Sequence, residues 1–187
     1  MRKVFSLVLL VLMASACEEG VVITVPASSS YSFTMPSSQI NAASDNLFSG
    51  TQEVDITQFF NEDAEQIESI KLDKLTYEVS NYNNTSGNLV LMDLTIQTSV
   101  NGTTNDILTI FGLIVENTGE IIAFEDGNPA SALSAAQVAS LESIMDNLQP
   151  FQMIVTGDFT DDIDGDFDVN IAWDITASVA QPSTGGG

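Results

Sequence analysis

The sequence predicts a mainly β protein, an antiparallel β-sandwich with one or two short connecting helices. Three observations carry that prediction. Apolar and polar residues alternate over long stretches, which places them on opposite faces of a pleated strand. Apolar residues make up 44% of the chain and charged residues only 16%, enough to fill a substantial core. And one segment alone carries a full set of helix start signals.

The elements follow in chain order. Val21–Val25, Tyr31–Met35 and Gln52–Ile56 read as short strands, and Thr57–Gln66, with Phe59 and Phe60, as a short helix. Between Ile70 and Val79 the alternation changes phase: Ile70 and Leu72 share one parity, Leu75, Tyr77 and Val79 the other. One extra residue at Asp73-Lys74 restores a common face, so a β-bulge is expected there. Val90, Met92, Leu94, Ile96 and Val100 oppose Asp93, Thr95, Gln97 and Ser99 along the next strand. Asn101-Gly102 tolerates the positive φ of a tight hairpin turn. The returning Ile107–Val115 is apolar on both faces and is expected at the centre of a sheet; Asn117-Thr118-Gly119 then turns into a short strand, Glu120–Phe124.

The helix follows. Ser134 and Gln137 form a capping box, and Leu133 with Val138 the matching hydrophobic staple. Val138, Leu141, Ile144, Met145 and Leu148 line one stripe, and Pro150 ends it. The last strand is the clearest. From Phe167 to Val179 every second residue is apolar, Trp173 among them, so Trp173 reads as core rather than as a sugar-stacking platform. Tyr31, Tyr77 and Tyr82 are too scattered to define one.

The amino terminus speaks to location. Arg2-Lys3, an apolar run from Val4 to Ala14 too short to span a membrane, and Ala14-Ser15-Ala16 read as a secretory signal. Met13-Ala14-Ser15-Ala16-Cys17 resembles the lipobox of bacterial lipoproteins, with Ala14 where Leu is commoner. The resemblance implies cleavage before Cys17, a diacylglycerol on its thiol, and attachment to the membrane through that lipid. Glu18-Glu19 looks like the acidic export signal of Bacteroidota-type surface lipoproteins, which implies an outer-membrane protein facing the cell surface, with a periplasm-facing position as the alternative. The expected organisation is a signal peptide at 1–16, a lipidated acidic tether at 17–20, a sandwich domain at 21–181 and a flexible tail at 182–187. The strand-rich pattern after a lipobox resembles the immunoglobulin-like domains of such lipoproteins, and the resemblance implies that fold.

Composition closes off chemistry. With no His there is no Ser-His-Asp triad, no Cys-His pair and no imidazole ligand; with one Cys there is neither an internal disulfide nor a cysteine-rich zinc site. Removing Arg2 and Lys3 leaves 26 acidic residues against Lys71 and Lys74, a formal charge of −24 where the precursor carries −22. Such a charge opposes nucleic acid and keeps the protein soluble and monomeric. Lys71 lies on the polar parity of its strand and Lys74 at the bulge, so neither marks a Ser-Lys hydrolase. Asn83-Asn84-Thr85 and Asn101-Gly102-Thr103 match the glycosylation pattern but read as turns.

One cluster suggests a ligand: Asp158, Asp161, Asp162, Asp164, Asp166 and Asp168, six carboxylates within 11 residues. Calcium takes six to eight oxygen ligands, and its donors here would be Asp161, Asp162, Asp164 and Asp166. The spacing fails as an EF-hand, however, with Thr160 at the first ligand position and Ile171 at the last. The favoured reading is an acidic hairpin turning at Asp164-Gly165. The function expected is a non-enzymatic, lipid-anchored module that binds an envelope protein or glycan or plays a structural part. The alternatives are a calcium-dependent adhesin or glycan-binding domain, and a glycan hydrolase acting through paired carboxylates.

Overall fold

The computed structural model describes residues 22–43, 46–60 and 66–180. Eight strands form two four-stranded antiparallel sheets: β1 (Val22–Met35), β2 (Leu47–Val54), β3 (Ile67–Ser80), β4 (Leu91–Val100), β5 (Thr103–Ile114), β6 (Ile121–Glu125), β7 (Phe151–Phe159) and β8 (Phe167–Ala180). The first sheet runs β1-β8-β3-β6 and the second β2-β7-β4-β5. The helices are α1 (Ser37–Ile40) and α2 (Ala135–Asp146), with a 3-10 turn at Ile56–Phe59.

The pairs β1 with β8, β2 with β7, β3 with β6 and β4 with β5 are all present. They describe one long two-stranded ribbon folded at the β4–β5 hairpin and rolled up, closed by the β3–β8 and β4–β7 ladders. That is the jelly-roll arrangement. The antiparallel sandwich is therefore as predicted, but the strand order is not that of an immunoglobulin domain, where sequential strands share sheets. Only β4 and β5 are joined by a hairpin here; every other connection crosses from sheet to sheet.

The core follows from alternation. Phe167, Val169, Ile171, Trp173, Ile175, Ala177 and Val179 of β8 all point inward and are buried, and Trp173 packs between Tyr31 and Phe151 as core. In β3, Ile70, Leu72, Leu75, Tyr77 and Val79 are all buried, because the ladder to β8 slips by one residue at Asp73. The predicted bulge is there. Asn101 (φ 50°) and Gly102 (φ 81°) make the expected hairpin turn. Gly157 interrupts the apolar face of β7 because the Phe159 ring and the Met92 sulfur lie where a Cβ would stand, at 2.8 and 3.0 Å.

Several expectations are corrected. The two short strands predicted before Pro36 are one 14-residue strand, β1, which runs through Pro26 because it is an edge strand, where proline is tolerated. The third strand begins earlier than expected, at Leu47, and stops at Val54. Of the helix expected over 57–66, residues 57–59 belong to the 3-10 turn, capped by the Asp55 side chain, and residues 61–65 lie outside the described residues. The Ile107–Val115 segment is not central but lies in the edge strand β5, and Phe111 is 77% exposed. Ser99, assigned to the polar face of β4, is buried. No hairpin turns at Asp164-Gly165, since β7 and β8 belong to different sheets and the segment between them is a crossover.

The capping box forms as predicted, but α2 ends at Asp146, before Pro150, with Leu148 in the left-handed region. The helix covers an exposed ladder. β6 pairs with β3 only from Lys74 to Tyr77, and beyond it the free amides of Ile70 and Leu72 donate to Asp146 Oδ1 and Glu142 Oε1. Two helix carboxylates thus take the place of a neighbouring strand.

Phe167 is 1% exposed and meets Tyr82 and Phe159 edge-on. Phe167→Ala is expected to cost about 3–5 kcal/mol in chemical denaturation. Ser134→Ala, which removes the cap of α2, is expected to cost about 1 kcal/mol. Equal costs for the two would contradict this packing.

Candidate functional site: the loop platform

The register defines two ends. Val22 pairs with Ala180 at one end of the β1–β8 ladder and Met35 with Phe167 at the other. The β1–β2, β3–β4, β5–β6 and β7–β8 connections gather at the Met35 end, and the β4–β5 hairpin and both described chain ends lie at the Val22 end.

Side-chain amides stitch the four loops together. Asn41 Nδ2 donates to the Ile163 carbonyl and Asn41 Oδ1 accepts from the Ile163 amide, at 2.8 and 2.9 Å. Asn117 makes the same two-way clamp on the backbone of Tyr82, at 2.8 Å in each direction. Each clamp ties two loops together beyond the end of ladders that their flanking strands share, β1–β8 and β2–β7 for Asn41 and β3–β6 for Asn117. Ile163, inside the acidic stretch, is buried, which pins that loop to the core.

The predicted calcium donors separate under this network. Asp166 Oδ1 accepts from the amide and hydroxyl of Ser37 at the start of α1, at 2.9 and 2.8 Å. Asp164 Oδ2 accepts from the Ser86 amide at 2.7 Å. Asp168, next in the series, takes bonds from Thr34 and Asn81. The Ser86 side chain, and after it the Ser86 amide, holds the carboxyl of Asp164 below the usual carboxylate range, and the Ser37 amide and then its hydroxyl do the same for Asp166. Asp161 and Asp162 line an open cleft of about 550 Å³ with Asn46, Asn88 and Leu89. So two of the four serve as loop ties and two face a solvent cleft. Among the described residues, no three carboxylates converge as a metal-holding group. Cys17, Glu18 and Glu19 lie outside the described residues.

A second depression, of about 310 Å³, runs over the outer face of β1, β8 and β3, with Ser30, Ser32, Glu78, Glu120 and Asn170 along it. It brings two glutamates to one trough, as a hydrolase would need. Glu120, however, is engaged by Lys74 Nζ. Of the two tyrosines that line it, Tyr77 is buried and Tyr31 packs edge-on against Trp173, so both rings are engaged with the core. Lys71 and Lys74 are both ion-paired, and the hydrogen bonds to Asp126 and Glu120 raise their ammonium groups, keeping them charged rather than available as bases.

Sequence reasoning found the acidic stretch but missed Asn41 and Asn117, the residues that organise the platform. An asparagine that clamps a distant loop looks, in sequence, like any asparagine in a turn.

No protein-family model and no curated protein matches this chain. Solved structures of similar shape include a decameric BFDV capsid protein (TM-score 0.40, 8% identity, covering 84% of this chain and 99% of that one). Others are a structure of tobacco necrosis virus (0.36, 11%, 89% and 100%) and a nodavirus particle from the giant freshwater prawn Macrobrachium rosenbergii (0.34, 9%, 88% and 86%). Likenesses this weak say nothing about what the chain does.

Because Asp164 and Asp166 titrate lower folded than unfolded, their contribution to stability is present above about pH 4 and fades as pH falls through the lower folded values. The stability difference between the wild type and an Asp164→Asn, Asp166→Asn variant should therefore be largest at neutral pH and shrink below about pH 4. A pH-independent difference would contradict the tie. In the same assay, millimolar calcium is expected to leave the melting temperature unchanged; a rise of several degrees would show that the separated carboxylates reassemble around the ion.

Proposed function

We propose that this protein is a non-catalytic, lipid-anchored envelope module that presents its loop platform away from the membrane. One observation carries the reading: the ladder from Val22 to Met35 runs the whole length of the sandwich, with Val22, the first described residue after Cys17, at one end and the platform at the other. At ~3.3 Å per residue the 14 residues of β1 span about 45 Å. The lipobox-like Met13–Cys17 supports the tether, and Cys17 precedes Val22 by five residues, at most about 18 Å of chain. Acyl chains at Cys17 contribute about 0.8 kcal/mol per buried methylene. No helix among the described residues is long and apolar enough to cross a membrane, so the lipid is the proposed attachment.

A binding role suits the site better than catalysis. Asp164 and Asp166 of the platform are spent on backbone amides and a hydroxyl, Asp161 and Asp162 line an open, polar cleft, and both described lysines are closed by carboxylates.

Mass spectrometry of the protein from its native membranes tests the tether. The mature chain should begin at Cys17 and carry diacylglycerol and a further acyl chain, and Cys17→Ser should release it from the membrane fraction. A mature terminus elsewhere, or an unmodified thiol on a membrane-bound protein, would overturn the proposal.

A further inference from the structure

Apolar side chains stand in water at one corner of the β2-β7-β4-β5 sheet, beside the platform. Leu89 is 65% exposed, Phe111 77% and Ile114 41%. They are neighbours. Ile114 pairs with Leu91 on the outer face, Leu89 lies two residues before Leu91, and the Gly112 amide donates to Asp93 Oδ1, which draws Phe111-Gly112 alongside β4. Single exposed apolar residues are ordinary, but a cluster at one corner marks a contact surface.

The rim has one sign. Asp93 sits beside Phe111, Asp158 pairs with Asp93 on β7, and Asp161 and Asp162 share the cleft with Leu89. None of the four strands of this sheet contains Lys or Arg. Lys71 and Lys74 both lie on β3 of the opposite sheet, each closed by a carboxylate. An apolar centre within an anionic rim is one half of a complementary interface.

We propose that this corner docks a segment of another protein in which apolar side chains are interleaved with Lys or Arg. A second copy of the chain would set acidic rim against acidic rim, and an anionic lipid surface meets the same repulsion. The ladder gains an extra β5 residue opposite Asp93, at Phe111-Gly112. That bulge blunts the edge as a template for strand addition, so the contact runs through side chains. The inference rests on the binding-module reading but not on the lipid tether.

The test titrates the full chain against two labelled synthetic probes, an alternating Lys-Val peptide and an oligolysine of equal charge, and follows the chain alone by sedimentation. The Lys-Val peptide should bind about tenfold tighter than oligolysine. Phe111→Ser combined with Leu89→Ser should erase that margin while leaving the thermal midpoint in place. Asp161→Asn with Asp162→Asn should weaken both probes, and Ser30→Ala on the opposite sheet should change neither. Equal binding of the probes, or a margin that survives the double serine variant, would overturn the proposal. So would self-association that Phe111→Ser abolishes, which would assign the corner to a second copy. None of these outcomes bears on the mass of the amino terminus, so the docking and tether proposals fail separately.

Discussion

The structure depends on the strict alternation of β8. Its seven inward side chains, from Phe167 to Val179, close one wall of the core, and its two edges carry β1 and β3 along almost their full lengths. A one-residue slip of β8 would turn Trp173, Phe167 and five aliphatic neighbours out to water. With β8 fixed, the roll follows. β1 lies on one side, β3 must bulge at Asp73 to keep its own apolar residues in phase, and the ladder's length sets the distance between the two ends of the molecule.

Where the pattern was legible, a single rule governed the segment. β8 is paired on both edges and buried on one face, so period two reports it directly. The phase shift in β3 was legible as a bulge because both halves kept clean parity. β5 was not, for a related reason: its pairing with β4 slips twice, near Ile107 and at Phe111-Gly112. The first slip turns both Ile107 and Leu108 inward. The second moves the inward face from Leu108 and Ile110 to Leu113 and Val115, and leaves Phe111 outside. Two bulges in one strand make an edge look apolar on both faces, as a central strand does.

Strand order was illegible because alternation names faces and not neighbours. Asp164-Gly165 has the composition of a hairpin turn, yet composition does not say whether the chain re-enters the same sheet or the facing one. The buried Ile163 and its clamp by Asn41 decide that it crosses. The acidic stretch was read for its charge, but Asp164 and Asp166 within it work as acceptors for loop amides, a role set by residues more than 70 positions away in sequence, Ser86 and Ser37. The site is thus made by the fold, and only its acidic half was visible beforehand.

The most direct test of the account is the height of the platform above the bilayer. Cys17 is the only cysteine in the chain and is consumed by the lipid in this reading, so Asp162→Cys and Thr103→Cys, both at exposed positions, each provide a unique labelling site. Energy transfer from a dye at either position to acceptor lipids, with the lipidated full chain in vesicles, should be strong at 103 and weak at 162, with the two sites separated in height by about 40 Å. Equal transfer from both positions, or stronger transfer from 162, would contradict the account.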